Sequence, residues 1–184
     1  MPKPEHYLRP DVELEPLKDL HADAMLKWVQ DPYIFSNICM LASPSMERTL
    51  AWIARVSTDS SIFARGVFWN KEYVGNVILD RIEALNKTAR FSIYVGASTA
   101  RGTGVGRTAG YLALKHGFDV LELRKIYLYV HVRNLRAIKS YQALGFVEEG
   151  ILRQELFYLD AWTDAKVMSL LRSEFETLRK EFES

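Results

Sequence analysis

The chain has 184 residues, of which 48% are hydrophobic and 26% are charged, a balance typical of one soluble domain with its own core. The 24 lysine and arginine residues nearly balance the 23 aspartate and glutamate residues, so the total charge predicts neither a nucleic-acid partner nor a membrane partner. A single cysteine, Cys39, excludes an intrachain disulfide, and the first residues lack the apolar core of a signal peptide. We therefore expect one domain over residues 1–184 and a cytoplasmic location.

The first half of the chain predicts a strand, two helices and then three strands. Residues 7–17 have the composition of a strand and residues 19–29 the apolar spacing of a helix. A second helix is expected after Ser43-Pro44, because Pro is well tolerated at the first position of a helix. The next three strands are joined by short turns and predict an antiparallel meander; they span 61–69, 73–84 and 88–96.

The second half predicts an alternation of helices and strands. The segments expected are a helix at 105–117, a strand at 124–132 and a helix at 133–144. This order favours parallel pairing of strands 88–96 and 124–132, because a crossover helix separates them. A hairpin is expected around Asp160, and the charged tail 173–184 is expected to be a solvated helix end. The fold class is therefore α/β (α+β), with a mixed sheet covered by helices.

A glycine-rich loop, ARGTGVGRTAGY at 100–111, follows a predicted strand and opens a predicted helix. Amide groups at a helix start have no intrahelical partner, so such a loop suits a phosphate or pyrophosphate. A Walker loop is excluded because Gly106 is followed by Arg107-Thr108 at the wrong spacing. A dinucleotide fingerprint beginning at Gly102 would need glycine where Arg107 stands, and a turn without a ligand remains an alternative.

A second motif lies in the predicted helix 133–144 and its end: Asn134, Ala137, Tyr141 and Gly145-Phe146. Together with Arg101-x-x-Gly104-x-Gly106, it resembles the GNAT superfamily of acyl-CoA-dependent N-acyltransferases. The resemblance covers nearly the whole chain. Within the superfamily, the sequence is similar to the branch that includes ribosomal-protein N-terminal acetyltransferases and amino-sugar acetyltransferases. It implies a largely antiparallel twisted sheet of about six or seven strands, with helices on both faces and a V-shaped splay between strands 4 and 5.

The resemblance also implies where acetyl-CoA or another acyl-CoA binds. The loop amides are expected to hold the coenzyme pyrophosphate, and the strand before the loop is expected to pair with the pantetheine arm, as an added strand would. Asn134 is expected to contact the coenzyme near its thiol. The implied coenzyme residues are Ile93, Tyr94, Val95, Arg101, Gly102, Thr103, Gly104, Val105, Gly106, Arg107, Asn134 and Ala137.

Tyr141 matches the family's general acid. An amine that attacks a thioester expels a thiolate, whose conjugate thiol has a pKa of about 8.5, while tyrosine has a pKa near 10. Protonation of the thiolate by Tyr141 is therefore only mildly uphill, and a positioned acid contributes about a hundredfold or more. The alternative is a core aromatic residue, because Ile138 and Leu144 also supply apolar contacts on this helix.

The general base is not given by the resemblance. Many family members have a glutamate early in the strand equivalent to 88–96, whereas this sequence has Arg90. His131 is a substitute, because it follows the strand face of Tyr127 and Tyr129 and has a suitable ordinary pKa. A histidine in an apolar strand can equally be a core polar group. Further alternatives are a water relay and two carboxylates on the third meander strand, Asp80 and Glu83.

The acceptor is expected to be a small-molecule primary amine, and no metal is expected. The family places the loop after the first helix and the final hairpin beside the acceptor, which here offers Tyr33, Phe35, Tyr158 and Trp162. Such rings can stack on a nucleotide base or a sugar, although scattered aromatics more often pack in cores. The general resemblance of residues 31–38 and 75–96 implies a nucleotide-linked amino sugar as the acceptor. Alternatives are a protein N-terminal or other small amine, an acyl-CoA sensor without turnover, and an enzyme that uses a nicotinamide cofactor; a polyamine has weaker support, and a monomer or homodimer is expected.

Overall fold

The computed structural model of the protein describes residues 8–32, 34–35, 43–158 and 161–183. Within these ranges, the strands are β1 Val12–Glu15, β2 Phe63–Trp69, β3 Glu72–Glu83, β4 Thr88–Val95, β5 Lys125–His131, β6 Val147–Tyr158 and β7 Ala161–Leu171. The helices are α1 Ala22–Gln30, α2 Met46–Val56, α3 Val105–Asp119, α4 Leu135–Gln142 and α5 Arg172–Phe182. Among the helices of these ranges, none is long and apolar enough to cross a membrane.

The strands form one seven-stranded sheet in the order β1-β2-β3-β4-β5-β7-β6. Every neighbouring pair is antiparallel except β4 and β5, which are parallel. The predicted meander, the predicted parallel pair and the final hairpin are all confirmed. β1 is shorter than predicted because Pro10 and Pro16 lie at its ends, and proline has no N–H to donate to a ladder.

The sheet opens between β4 and β5. Their parallel register runs only from Thr88 opposite Lys125 to Arg90 opposite Tyr127. Beyond this point β4 stays paired with β3 as far as Val95, while β5 pairs with β7 as far as His131. The two central strands therefore diverge into a fork, which confirms the splay that the family resemblance implied.

The two faces of the sheet carry different helices because side chains alternate along each strand. On one face, Ala64 and Ile78 pack with Ala22 and Met25 of α1 and with Ile53 of α2. On the opposite face lies the larger core, to which the sheet contributes Val67, Val77, Leu79, Phe91, Ile126, Leu128, Met168 and Leu170, and the helices contribute Ala109, Leu114, Phe118 and Phe175. The glycine loop thus leads from the fork into α3 on the main core.

The C-terminal tail corrects a prediction. The segment expected to be solvated forms α5, whose Phe175 and Phe182 are buried. The ring of Phe175 stacks on Phe118 with a centroid distance of 4.9 Å, and that of Phe182 stacks on Tyr111 at 4.9 Å. The prediction was wrong because it relied on the many charged residues of this segment. The two phenylalanines are seven residues apart and so lie on one helix face, which packs on the core.

Candidate active site

A cavity of about 500 Å³ lies at the fork, between the end of β4, the glycine loop and α4. All of the predicted coenzyme residues except Thr103 and Val105 line it. Val105 is instead fully buried in the core, and the Thr103 hydroxyl donates to the carbonyl of Ala100 at 2.7 Å. The lining is Ile34, Ile93, Tyr94, Val95, Ala100, Arg101, Gly102, Gly104, Gly106, Arg107, Asn134, Arg136, Ala137, Lys139, Ser140, Tyr141, Ala143 and Leu144.

The glycine loop has the backbone of an anion cradle. Gly102 and Gly104 have φ angles of 77° and 91°, a left-handed region that is costly for residues with a side chain. Gly104 is the N-cap of α3, and no side chain caps this helix start. The first amides of α3 therefore remain for an anion, with the positive end of the helix dipole behind them. This arrangement fits the pyrophosphate of coenzyme A.

Arg101 fixes the loop to the end of β4. Its guanidinium donates to the carbonyls of Val95 at 3.0 Å and Gly96 at 2.7 Å. It also forms an ion pair with Asp31, just after α1, with an N–O distance of 3.5 Å. The Arg101 side chain thus joins the loop, β4 and the residue after α1, and the Arg101 amide donates to the Ser98 carbonyl at 3.2 Å, so this residue serves to fix the shape of the loop.

Helix α4 contributes cavity residues that the sequence motif did not identify. Arg136, Lys139 and Ser140 line the cavity beside Ala137 and Tyr141. A guanidinium nitrogen of Arg136 lies 3.9 Å from the position of a β-carbon built on Gly102, so Arg136 reaches the glycine loop. The sequence could have indicated these residues through helical spacing. Positions 136 and 140 lie one turn apart and are next to the helix face that carries positions 137 and 141. Lysine and arginine beside the loop suit the coenzyme phosphates.

Asn134 and Tyr141 lie at opposite ends of α4. The Asn134 side-chain oxygen accepts from the Ala137 amide at 3.1 Å and so caps α4. The Tyr141 ring lies edge-on to Phe91 and Phe146, with centroid distances of 6.1 and 6.0 Å. These contacts hold the ring in one orientation at the cavity wall.

The three candidate bases occupy different levels of the fork. His131 is buried at its open end, where its Nδ1 accepts from the Arg133 amide at 3.1 Å. Burial, with the charge of Arg133, lowers the pKa of His131, so its imidazole is neutral at pH 7.

The carboxylate candidates are held by other groups. Both oxygens of Asp80 accept from Arg90, at 2.8 and 2.6 Å, at the level where β4 and β5 are last paired. Glu83 accepts from the backbone amides of Asn86 and Leu85 in the turn after β3, and these bonds lower its pKa. None of the three candidates is among the described residues that line the cavity. His131 is connected to it through the backbone, since Asn134, which lines the cavity, donates its amide to the His131 carbonyl.

The predicted acceptor aromatics do not assemble at the cavity in the part of the chain that the structure describes. Tyr33 lies outside the described residues, and so does the side chain of Tyr158. Phe35 and Trp162 are 38% and 60% exposed, and neither lines the cavity. In the segment directly after α1, of which the structure describes residues 31–32 and 34–35, Ile34 lines the cavity. The sequence did not indicate it because only aromatic residues were expected beside the acceptor.

A different aromatic cluster stands behind β4. The amide of the fully buried Asn76 donates to the Tyr94 hydroxyl and its oxygen accepts from the Tyr73 hydroxyl, each at 2.7 Å. Burial raises the pKa of Tyr73 and of Tyr94, so both keep their protons at neutral pH. The Trp28 ring of α1 lies 4.9 Å from that of Tyr73. The buried polar network fixes the two tyrosine rings, and the contacts of Trp28 with these rings hold α1 beside the fork.

The fork, the anion cradle and the tyrosine together define an acyl-CoA-dependent acyltransferase. Residues 11–147 match the family model described as an acetyltransferase (GNAT) domain. The chain therefore belongs to the GNAT acetyltransferase family, as its two motifs predicted. It is an enzyme that transfers an acetyl group from acetyl-CoA to a primary amine. Among the described residues, no group of three His, Cys, Asp or Glu side chains is placed to hold a metal ion.

Individual relatives extend the comparison. The chain is 39% identical to a spermidine N(1)-acetyltransferase of Vibrio cholerae over 105 residues, which cover 57% of this chain and 60% of that protein. It is 30% identical to the spermidine N(1)-acetyltransferase of Escherichia coli over 174 residues, 91% of this chain and 87% of that one. A crystal structure of the Vibrio cholerae spermidine N-acetyltransferase with CoA and spermine matches with a TM-score of 0.85 at 28% identity, covering 91% and 99% of the two chains.

The contact between α1 and the fork predicts a specific effect on stability. A β-carbon at Gly96 would lie 1.9 Å from Cδ2 of Trp28, so Gly96→Ala forces the indole away. We expect the free energy of unfolding to fall by about 1–3 kcal/mol in urea titrations. Gly150→Ala is the matched control, because nothing lies within 4 Å of its β-carbon position, and its effect should stay within about 0.5 kcal/mol. Equal stability of the two variants would contradict the Trp28–Gly96 contact.

Proposed function

We propose that the protein acetylates a polyamine such as spermidine. The observation that carries this proposal is the similarity to the Escherichia coli spermidine N(1)-acetyltransferase along 91% of this chain. It corrects two expectations from the sequence. The nucleotide-linked amino sugar has no support among these relatives. The polyamine had weaker support from the sequence because the nearly balanced composition, with 24 basic and 23 acidic residues, indicates no acidic groove.

The open face of the sheet offers contacts for a cationic chain. The rings of Tyr127 and Tyr129 lie side by side on β5, with centroids 5.6 Å apart. Burial is the largest cause of the raised pKa of Tyr129, the charge of Glu155 adds to it, and Arg81 and Arg90 act in the opposite direction. Arg90, beside the same tyrosines, is neutralised by its bidentate ion pair with Asp80. Tyrosine faces and a carboxylate attract ammonium groups, so this surface is the proposed path of the polyamine.

On the coenzyme side, the chain supplies binding and orientation. The bound acetyl-CoA contributes an acyl group activated as a thioester. The amides at the start of α3 hold its pyrophosphate, with Arg107, Arg136 and Lys139 nearby. The edge of β4 at Ile93–Val95, which faces away from β3 across the fork, pairs with an extended amide chain in the manner of an added strand.

The proton transfers fall to two side chains. Tyr141, held by Phe91 and Phe146 at the cavity wall, keeps a proton on Oη for the departing thiolate. His131, neutral at pH 7, receives a proton from the incoming amine directly or through water. Acid and base then lie on successive elements, β5 and α4, joined by the short turn between them.

An acceptor panel tests the proposal. Release of free thiol from acetyl-CoA is measured with spermidine, spermine, a peptide with a free N-terminus and a nucleotide-linked amino sugar. We expect kcat/KM for the polyamines to exceed that for the other amines by about tenfold or more. Preference for the peptide or the sugar would overturn the polyamine assignment. Coenzyme binding without thiol release from any amine would favour the sensor alternative.

Replacing Tyr141 by phenylalanine removes the proposed acid and little else. We expect kcat for Tyr141→Phe to fall by about a hundredfold or more while the dissociation constant for CoA is unchanged. Tyr111→Phe is the control, because it also deletes one hydroxyl, here bonded to Glu183 at 2.8 Å and outside the cavity. Wild-type turnover by Tyr141→Phe would remove this residue from the mechanism.

The pH dependence of kcat tests His131. Because its pKa is lowered below 6.5, we expect activity at saturating amine to fall only as the pH drops below this value and the imidazole gains a proton. His131→Gln should lower kcat about a hundredfold and remove this acidic limb. His116→Gln, which alters a histidine that stacks on Phe63 outside the cavity and whose pKa is also lowered, should keep both. An unchanged limb in His131→Gln would exclude it as the base.

A further inference from the structure

The outer side of the glycine loop is held by a residue far from it in sequence. Arg9 Nη1, in the segment before β1, donates to the carbonyl of Thr103 at 3.0 Å. The backbone amide of Arg9 donates to the Thr108 hydroxyl in the first turn of α3, also at 3.0 Å. Arg9 does not line the cavity, whereas Gly104, the next residue after Thr103, does. The loop is therefore bonded from behind while its other side faces the cavity.

Arg9 is itself rigidly placed. Its Nε and Nη2 donate to the two carboxylate oxygens of Asp11 at 3.0 and 2.8 Å. The guanidinium carbon lies 4.8 Å from the ring centre of Trp69, and the Trp69 indole N–H donates to Asp11 at 2.8 Å. A planar guanidinium with two bonds to one carboxylate and an aromatic surface beneath it has little freedom. The bond to Thr103 thus comes from a fixed donor.

The orientation of one peptide group depends on this bond. In a trans peptide the C=O and N–H point in opposite directions, so a Thr103 carbonyl turned towards Arg9 directs the Gly104 amide away from it. Gly104, with φ of 91°, has no β-carbon to prevent this peptide from turning over. Loss of the Arg9 bond would allow the carbonyl, instead of the amide, to face the cavity.

We propose that Arg9 is a positioning residue for the coenzyme: it holds the Thr103–Gly104 peptide so that the Gly104 amide faces the coenzyme pyrophosphate. The inference rests on the use of acetyl-CoA described above and is independent of the amine. Arg9 acts through the loop backbone and touches neither substrate. It lies outside both sequence motifs, so a motif search does not reveal it.

Calorimetric titration of the whole protein with CoA tests the role. Arg9→Met keeps an aliphatic side chain over Trp69 and the backbone bond to Thr108 but removes the guanidinium donors, and we expect the dissociation constant for CoA to rise about tenfold. KM for acetyl-CoA should rise in parallel, with kcat and KM for the amine unchanged within about twofold. Arg55→Met is the control, since Arg55 is exposed near the end of α2, pairs with Asp59 beyond the helix and lies outside the cavity, so its loss should leave CoA binding unchanged.

A second variant separates positioning from folding. Arg9→Lys retains a cation beside Asp11 but replaces three guanidinium nitrogens, two bonded to Asp11 and one to Thr103, by one mobile ammonium nitrogen, so its melting temperature should stay near wild type while the CoA dissociation constant stays raised. Wild-type CoA affinity in Arg9→Lys, or in a folded Arg9→Met, would overturn the inference alone. A wild-type protein that fails to bind CoA would overturn the coenzyme assignment and this inference together.

Discussion

The structure depends on one interrupted ladder. β4 and β5 are paired from Thr88 to Arg90 and then part in the middle of a seven-stranded sheet. Backbone amides and carbonyls in a protein interior need partners, so an open edge at the centre of a sheet is unfavourable unless something occupies it. An extended ligand with its own amides meets this need. The cavity at the fork follows from the same break, because the space that a continued β4–β5 pair would fill is left open.

The elements around the fork keep this space in shape. The loop after β4 is bonded on one side by Arg101 to the β4 carbonyls and on the other by Arg9 to Thr103. The side chain of Asn134 caps the start of α4, and near the end of this helix the Tyr141 ring packs against the core rings of Phe91 and Phe146. Groups held in this way need little rearrangement when the ligand arrives, which is how binding and catalysis gain from a fixed site.

Local patterns predicted most of the fold but less of the site. The meander and the parallel pair follow from short turns and from a crossover helix, both visible in neighbouring residues, and the glycine loop carries its own conformational signature. Helical spacing could have identified Arg136 and Lys139 as residues that line the cavity. Arg9 could not, since its bond to Thr103 joins residues 94 positions apart and depends on the final packing of β1 against α3. The acceptor side was least predictable, because exposed rings such as Trp162 give no indication of what they face.

β4 lacks the glutamate that many family members carry on this strand, but a carboxylate lies one strand away, on β3. Asp80 of β3 lies directly opposite Arg90, so a carboxylate is present at the closed end of the fork, but both its oxygens are engaged by that arginine. A base must therefore be either freed from this pair or provided elsewhere. In the proposed mechanism His131 provides it, and the carbonyl of His131 accepts the Asn134 amide at 2.9 Å at the start of α4. The tight turn thus fixes the candidate base relative to the helix that carries Tyr141, and the acid and base can share one rigid unit although neither motif includes the histidine.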